Sequence, residues 1–69
     1  MSKLYSLSEI KVAAYNHTEL PDMNPRQAAL WQGLAYAYDC FRHGYPKEDC
    51  EKLMVDYIHF FWDGDADDS

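Results

Sequence analysis

Residues 25–43 are apolar around most of a helical circumference, and a helix of that kind has to be covered by more than one neighbour. At about 100° per residue, Leu30, Trp31, Leu34, Tyr38 and Phe41 make one broad face of large side chains. Beside it Ala29, Gly33, Ala37 and Cys40 make a stripe of small ones, and only a narrow sector around Gln32, Asp39 and His43 is polar. Asn24 offers an N-cap, with Pro25 in the first helical position. At the other end Gly44 suits the left-handed position that closes a helix, and Arg42 and His43 complement its negative pole.

The covering elements can be read on either side. Beyond Tyr45-Pro46 a helix over 46–62 is predicted, because Cys50, Leu53, Met54, Tyr57, Ile58 and Phe61 step by three and four; Gly64 ends it. Ser6 and Glu9 have capping-box spacing, and Leu7, Ile10 and Ala14 follow on one face, which predicts a short helix over 7–16. Pro21 makes residues 17–24 a connector. The chain therefore reads as a single all-α domain over 1–69, a small three-helix arrangement built on an antiparallel hairpin, with an acidic tail at 63–69. The large face of the central helix is expected to receive the 46–62 helix. The small stripe is left for the first helix or for a second copy packing through Ala29, Gly33 and Ala37. Whether the first helix docks on the hairpin is left open.

A chain of 69 residues buries only about 60% of its unfolded surface. With 48% hydrophobic and 16% aromatic residues it still has ample material for a core, unlike a disordered segment. Met1–Tyr5 leads into a polar capped segment rather than a leader's apolar run, and the aromatic cluster Tyr57–Trp62 is too short to cross a bilayer. The expectation is a protein of the cytoplasm, off the membrane. There Cys40 and Cys50, too few for a disulfide framework, would stay reduced. Both lie equally far from Tyr45, so a hairpin could bring them opposite each other.

The net charge of −6 is unevenly placed. Residues 1–52 hold all six Lys and Arg and seven of the twelve acids, whereas 53–69 hold five Asp and no base. A chain charged in this way repels nucleic acid and favours a protein partner with a basic surface.

Catalytic and metal chemistry fit poorly. The serines lie near the termini without a strand-turn-helix setting, and three glycines make no phosphate-cradling loop. Cys40, His43 and Cys50 gather around one turn, but His59 is too far along its helix to complete a zinc set. Asp63, Asp65 and Asp67 alternate like the start of a calcium loop. Asp68 then stands where that loop needs glycine, and no bidentate glutamate follows. Neither an enzyme nor a bound metal or cofactor is expected. Val55 and Trp62 fall beyond the core arc of the last helix and Phe60 falls at its opposite edge, so these three are candidate anchors for a partner, with core packing as the alternative. Asp56, Asp63, Asp65, Asp67 and Asp68 would steer toward the basic surface.

Residues 25–36 (PRQAALWQGLAY), Phe41-Arg42-His43-Gly44 and 47–53 (KEDCEKL) resemble the short helical-hairpin proteins of bacterial prophages and mobile elements, over about half the chain. Anti-CRISPR proteins are among the small acidic proteins of this type. The resemblance implies a noncatalytic inhibitor or modulator acting in a bacterial host on a protein such as a Cas effector. It assigns no residues. The clustering of acids in one tail departs from the even phosphate-like spacing of a DNA mimic. Two further expectations remain: a self-associating structural or regulatory module, and an antitoxin-like partner of a basic toxin.

Overall fold

Ser6 turns the chain into its first helix. In the computed structural model, which describes residues 4–62, α1 spans Leu7–Tyr15. Ser6 Oγ accepts the Glu9 amide at 3.2 Å, and Glu9 Oε1 accepts the Ser6 amide at 3.1 Å, so the capping box satisfies two of the donors that a helix start leaves open. At the other end the amides of His17 and Thr18 donate to the carbonyls of Ala14 and Ala13. This is a Schellman closure with His17 at φ 57°, where glycine is the usual occupant.

Helix α2 spans Pro25–Arg42, and Asn24 Oδ1 accepts the Arg26 amide at 2.8 Å. It closes in the same manner, with Gly44 at φ 100° and the amides of Gly44 and Tyr45 donating to Phe41 and Cys40. Helix α3, Lys47–Phe61, has no side-chain N-cap; Glu48 and Asp49 in its first turn complement the positive pole instead.

Helix α1 runs parallel to α2. Tyr5 meets Gln27 near one end and Tyr15 meets Tyr38 and Arg42 at the other, while the connector runs back between them. Helix α3 returns antiparallel, as the sequence predicts. Among the described residues the backbones of α1 and α3 each approach α2 closely and do not approach each other. The first helix, whose docking the sequence left open, thus closes the core: Leu7, Ile10 and Ala14 pack with Leu30, Leu34 and Ala35.

The two faces of α2 receive each other's expected neighbours. Trp31 and Tyr38, expected under α3, turn toward α1 and the connector. Trp31 Nε1 donates to the Thr18 carbonyl at 3.1 Å, and the Tyr38 ring meets Tyr15 edge-on with centroids 5.3 Å apart. The small stripe receives α3 instead. Tyr57 lies over Gly33 so closely that a Cβ there would stand 2.6 Å from the ring. Volume explains the exchange: α3 brings Tyr57 and Phe61, which need the room that glycine and alanine leave, whereas α1 brings Ala13 and Ala14 and can lie against large side chains.

Two polar devices tie the helices together. Gln27, buried, accepts the Tyr5 amide at 3.0 Å and donates to the Tyr5 carbonyl at 2.9 Å, pairing with that backbone as a neighbouring strand would. Arg26 reaches across the hairpin, its Nε and Nη2 donating to the carbonyls of Phe61 and Phe60 at 3.0 and 3.2 Å. A cation thereby satisfies carbonyls that the end of α3 leaves open.

Candidate protein-binding surface

Because α1 is nine residues long and α2 eighteen, α1 covers only about half of α2's length at about 1.5 Å per residue. The last turn of α2 therefore meets only the end of α1, through Asp39 and Arg42, and Phe41 is left open. A groove of about 250 Å³ results, with Ala37, Tyr38 and Phe41 of α2 as floor, Tyr15 of α1 as one wall, and Cys50 and Met54 of α3 as the other. Lys47 and Glu51 stand at its rim, 3.9 Å apart. Tyr15 is 53% and Phe41 49% exposed, in a chain whose largest fully buried side chains are Ile10, Leu30 and Leu34.

The Tyr15 wall is held in place. The Arg42 guanidinium lies 4.8 Å from the Tyr15 ring centroid and donates to the Tyr15 carbonyl. Arg42 also sits 3.5 Å from Asp39, whose carboxylate meets His17 Nε2 at 2.7 Å. The hydrogen bond from His17 holds the Asp39 carboxyl below the ordinary carboxylate value, against partial desolvation, and the charges of His17, Arg42 and His43 act in the same direction. The opposite wall is chemically quiet. Burial pushes the Cys50 thiol up, with Cys40, Asp49 and Glu51 adding to it, so the group stays protonated and weakly nucleophilic. The groove offers apolar area and shape.

The residues expected to bind a partner separate into two flanks of α3. Val55 and Trp62, about 20° apart around the helix, fall on the side of Glu51 at the groove rim, about 100° round from the Met54 wall. Val55 is 50% exposed. Trp62 is half-buried, packs against the core, and lines a second recess of about 340 Å³ with Leu4, Tyr5 and Phe61 at the far end of the hairpin. Phe60, 73% exposed, lies on the other flank together with Leu53 and Tyr57, and exposed Asp56 stands beside it on the outer face. The Phe60 ring meets Phe61 edge-on at 4.9 Å, on backbone pinned by Arg26. Asp63, Asp65, Asp67 and Asp68 lie outside the described residues. Of the small stripe, Gly33 and Ala37 are buried within the chain and Ala29 is half-buried.

Sequence reasoning missed Tyr15, Phe41 and Met54 as a common surface. By periodicity Phe41 belongs to the large-residue face expected to be covered, and the signal that exposes it is the disparity in length between the first two helices. Cys40, His43 and Cys50 do not assemble with a further ligand: no group of three or more His, Cys, Asp or Glu suited to a metal is found among the described residues. No helix among them is long and apolar enough to cross a membrane. Compared with known protein families, curated proteins and solved structures, the chain matches none.

Proposed function

We propose that the chain is a noncatalytic protein-binding inhibitor or modulator of the kind carried by phages and mobile elements, acting in the bacterial cytoplasm on a host protein with a basic surface. A Cas effector is the partner class that the resemblance of the hairpin suggests. The observation that carries the reading is the apolar groove between Tyr15, Phe41 and Met54, whose walls are fixed while two of its large side chains remain about half exposed. Val55 and Trp62 add apolar area beyond the groove's Glu51 rim, Phe60 supplies a second anchor, and Asp56 with the tail aspartates provides steering toward the basic partner. The acidic balance of −6 supports a basic partner over nucleic acid.

The test is binding of the purified chain to a partner captured from host lysate, with association and dissociation followed separately at low and high salt. Association should slow as salt rises and when residues 63–69 are removed. Phe41→Ala should speed dissociation on the order of tenfold or more, as loss of an anchor does. Association indifferent to both salt and tail removal would refute the steering role, and unchanged dissociation of Phe41→Ala would refute the groove.

A further inference from the structure

The closest approach of α2 and α3 sets a register along the whole hairpin. Tyr57 sits on Gly33. Cys40 follows Gly33 by seven residues and Cys50 precedes Tyr57 by seven, so each is displaced about two helical turns toward the connecting turn, on nearly the same face as its reference residue. Cys40 and Cys50 therefore face each other across the hairpin as Gly33 and Tyr57 do. Both are free thiols, Cys50 buried and Cys40 half-buried. Their proximity also appears in their electrostatics: Cys40 raises the Cys50 pKa more than either adjoining acid, Asp49 or Glu51. On the outer side, hydrogen bonding to the Cys40 thiol is the main reason that the Tyr36 phenol titrates above its ordinary value.

We propose that Cys40 and Cys50 are an oxidant-responsive dithiol that closes into a disulfide across the hairpin when the protein meets a peroxide. Cys40, the more accessible of the two, reacts first. Its sulfur attacks one peroxide oxygen, the O–O bond breaks, that oxygen stays on sulfur as a sulfenic acid, and the other departs as water. The Cys50 sulfur then attacks the Cys40 sulfur, the S–O bond breaks, and the departing hydroxide takes the Cys50 proton to leave as a second water. Two thiols have lost two electrons and two protons, and the peroxide has accepted both. Burial keeps Cys50 protonated and so spares it from direct oxidation; its attack in the second step depends on standing opposite Cys40, which offsets the weak nucleophilicity of a protonated thiol. The proposal is independent of the protein-binding reading.

Hydrogen peroxide in modest excess, followed by unfolding and maleimide blocking of remaining thiols, tests it by intact mass. The native chain should lose the mass of two hydrogen atoms and take up no maleimide, while Cys50→Ser should stop at a dimedone-trappable sulfenic acid on Cys40. A chain carrying Cys50→Ser and Glu51→Cys turns the second thiol about 100° away and should close roughly tenfold more slowly or worse. The native chain kept unfolded in guanidinium gives the same comparison without a substitution, and should also close more slowly. Two maleimide-reactive thiols after peroxide, cross-links between chains in place of internal closure, or equal rates in folded and unfolded protein would overturn the proposal.

Discussion

Replacing Gly33 with alanine puts a methyl group where the Tyr57 ring stands. The added Cβ would lie 2.6 Å from Tyr57 Cγ and Cδ1 and 2.9 Å from Cδ2. These atoms form the base of the ring, so a rotation of the side chain's far end does not clear them, and α3 itself must move off α2. Overpacking costs about 1–3 kcal/mol, and a clash that only movement of a whole helix relieves belongs to the upper part of that range, about 2–3 kcal/mol, while alanine in place of glycine inside a helix returns roughly 1 kcal/mol. The net loss is about 1–2 kcal/mol against the ~3–5 kcal/mol that a core this small supplies. Thermal unfolding should fall by roughly 5–15 °C, at ~4–8 °C per kcal/mol for a domain of this size. Urea unfolding followed by far-UV circular dichroism, at several protein concentrations, measures the loss directly. With Tyr57→Leu already present the same substitution should cost clearly less, because the flat ring is gone. A Gly33→Ala chain as stable as the native one, with Tyr57 intact, would refute the reasoning. If instead the native chain gains stability with concentration and Gly33→Ala removes only that gain, the stripe meets a second copy and the self-association reading takes precedence.

Four other outcomes follow from the same structure. The Asp39 carboxyl titrates lower folded than unfolded, so its contact with His17 stabilises the fold above the unfolded carboxylate value of about 4 and ceases to do so as pH falls through the folded value; Asp39→Asn should show a shallower fall of urea midpoint on acidification, and identical slopes would dismiss the contact. Gly44→Ala should lower stability by about 1–2 kcal/mol through backbone strain alone, since φ is 100° and nothing stands within 4 Å of an added Cβ, and Gly44→Asn should cost less. Gln27→Ala should cost about 1–3 kcal/mol by unpairing the Tyr5 backbone, and amide exchange at Tyr5 should rise toward that of free peptide. Phe60→Ala should leave the unfolding midpoint within about 0.5 kcal/mol of native, because the ring is 73% exposed, while weakening partner binding.

The helices were legible because their signals are local. The capping box at Ser6, Pro25 after Asn24 and the turn at Gly44 each act within a few residues, and the observed bounds fall within about one residue of those read from the sequence. Which neighbour covers which face of α2 was not legible, since it depends on how Tyr57 and Ala14 fill space across helices rather than on the pattern within one. The clasp of Arg26 on the end of α3 and the pairing of Gln27 with Tyr5 link residues far apart in the chain, and neither carries a local signature. The groove was hidden for a related reason: Phe41 has a core residue's periodicity, and only the shortness of α1 leaves it open. His17 in a left-handed conformation likewise escapes pattern reading, because a glycine was the residue to look for.

An arrangement in which, among the described residues, the backbone of α2 lies close to both other helices while theirs stay apart distributes mutational tolerance unequally. A substitution on the outer side of α1 or α3 disturbs at most one contact surface. Leu30 and Leu34, with no exposed surface, lie where both surfaces converge, so a change there is felt twice. Sequences descended from this one should therefore drift most freely along the outer helices and least at those two leucines, giving the central helix the slowest clock in the chain.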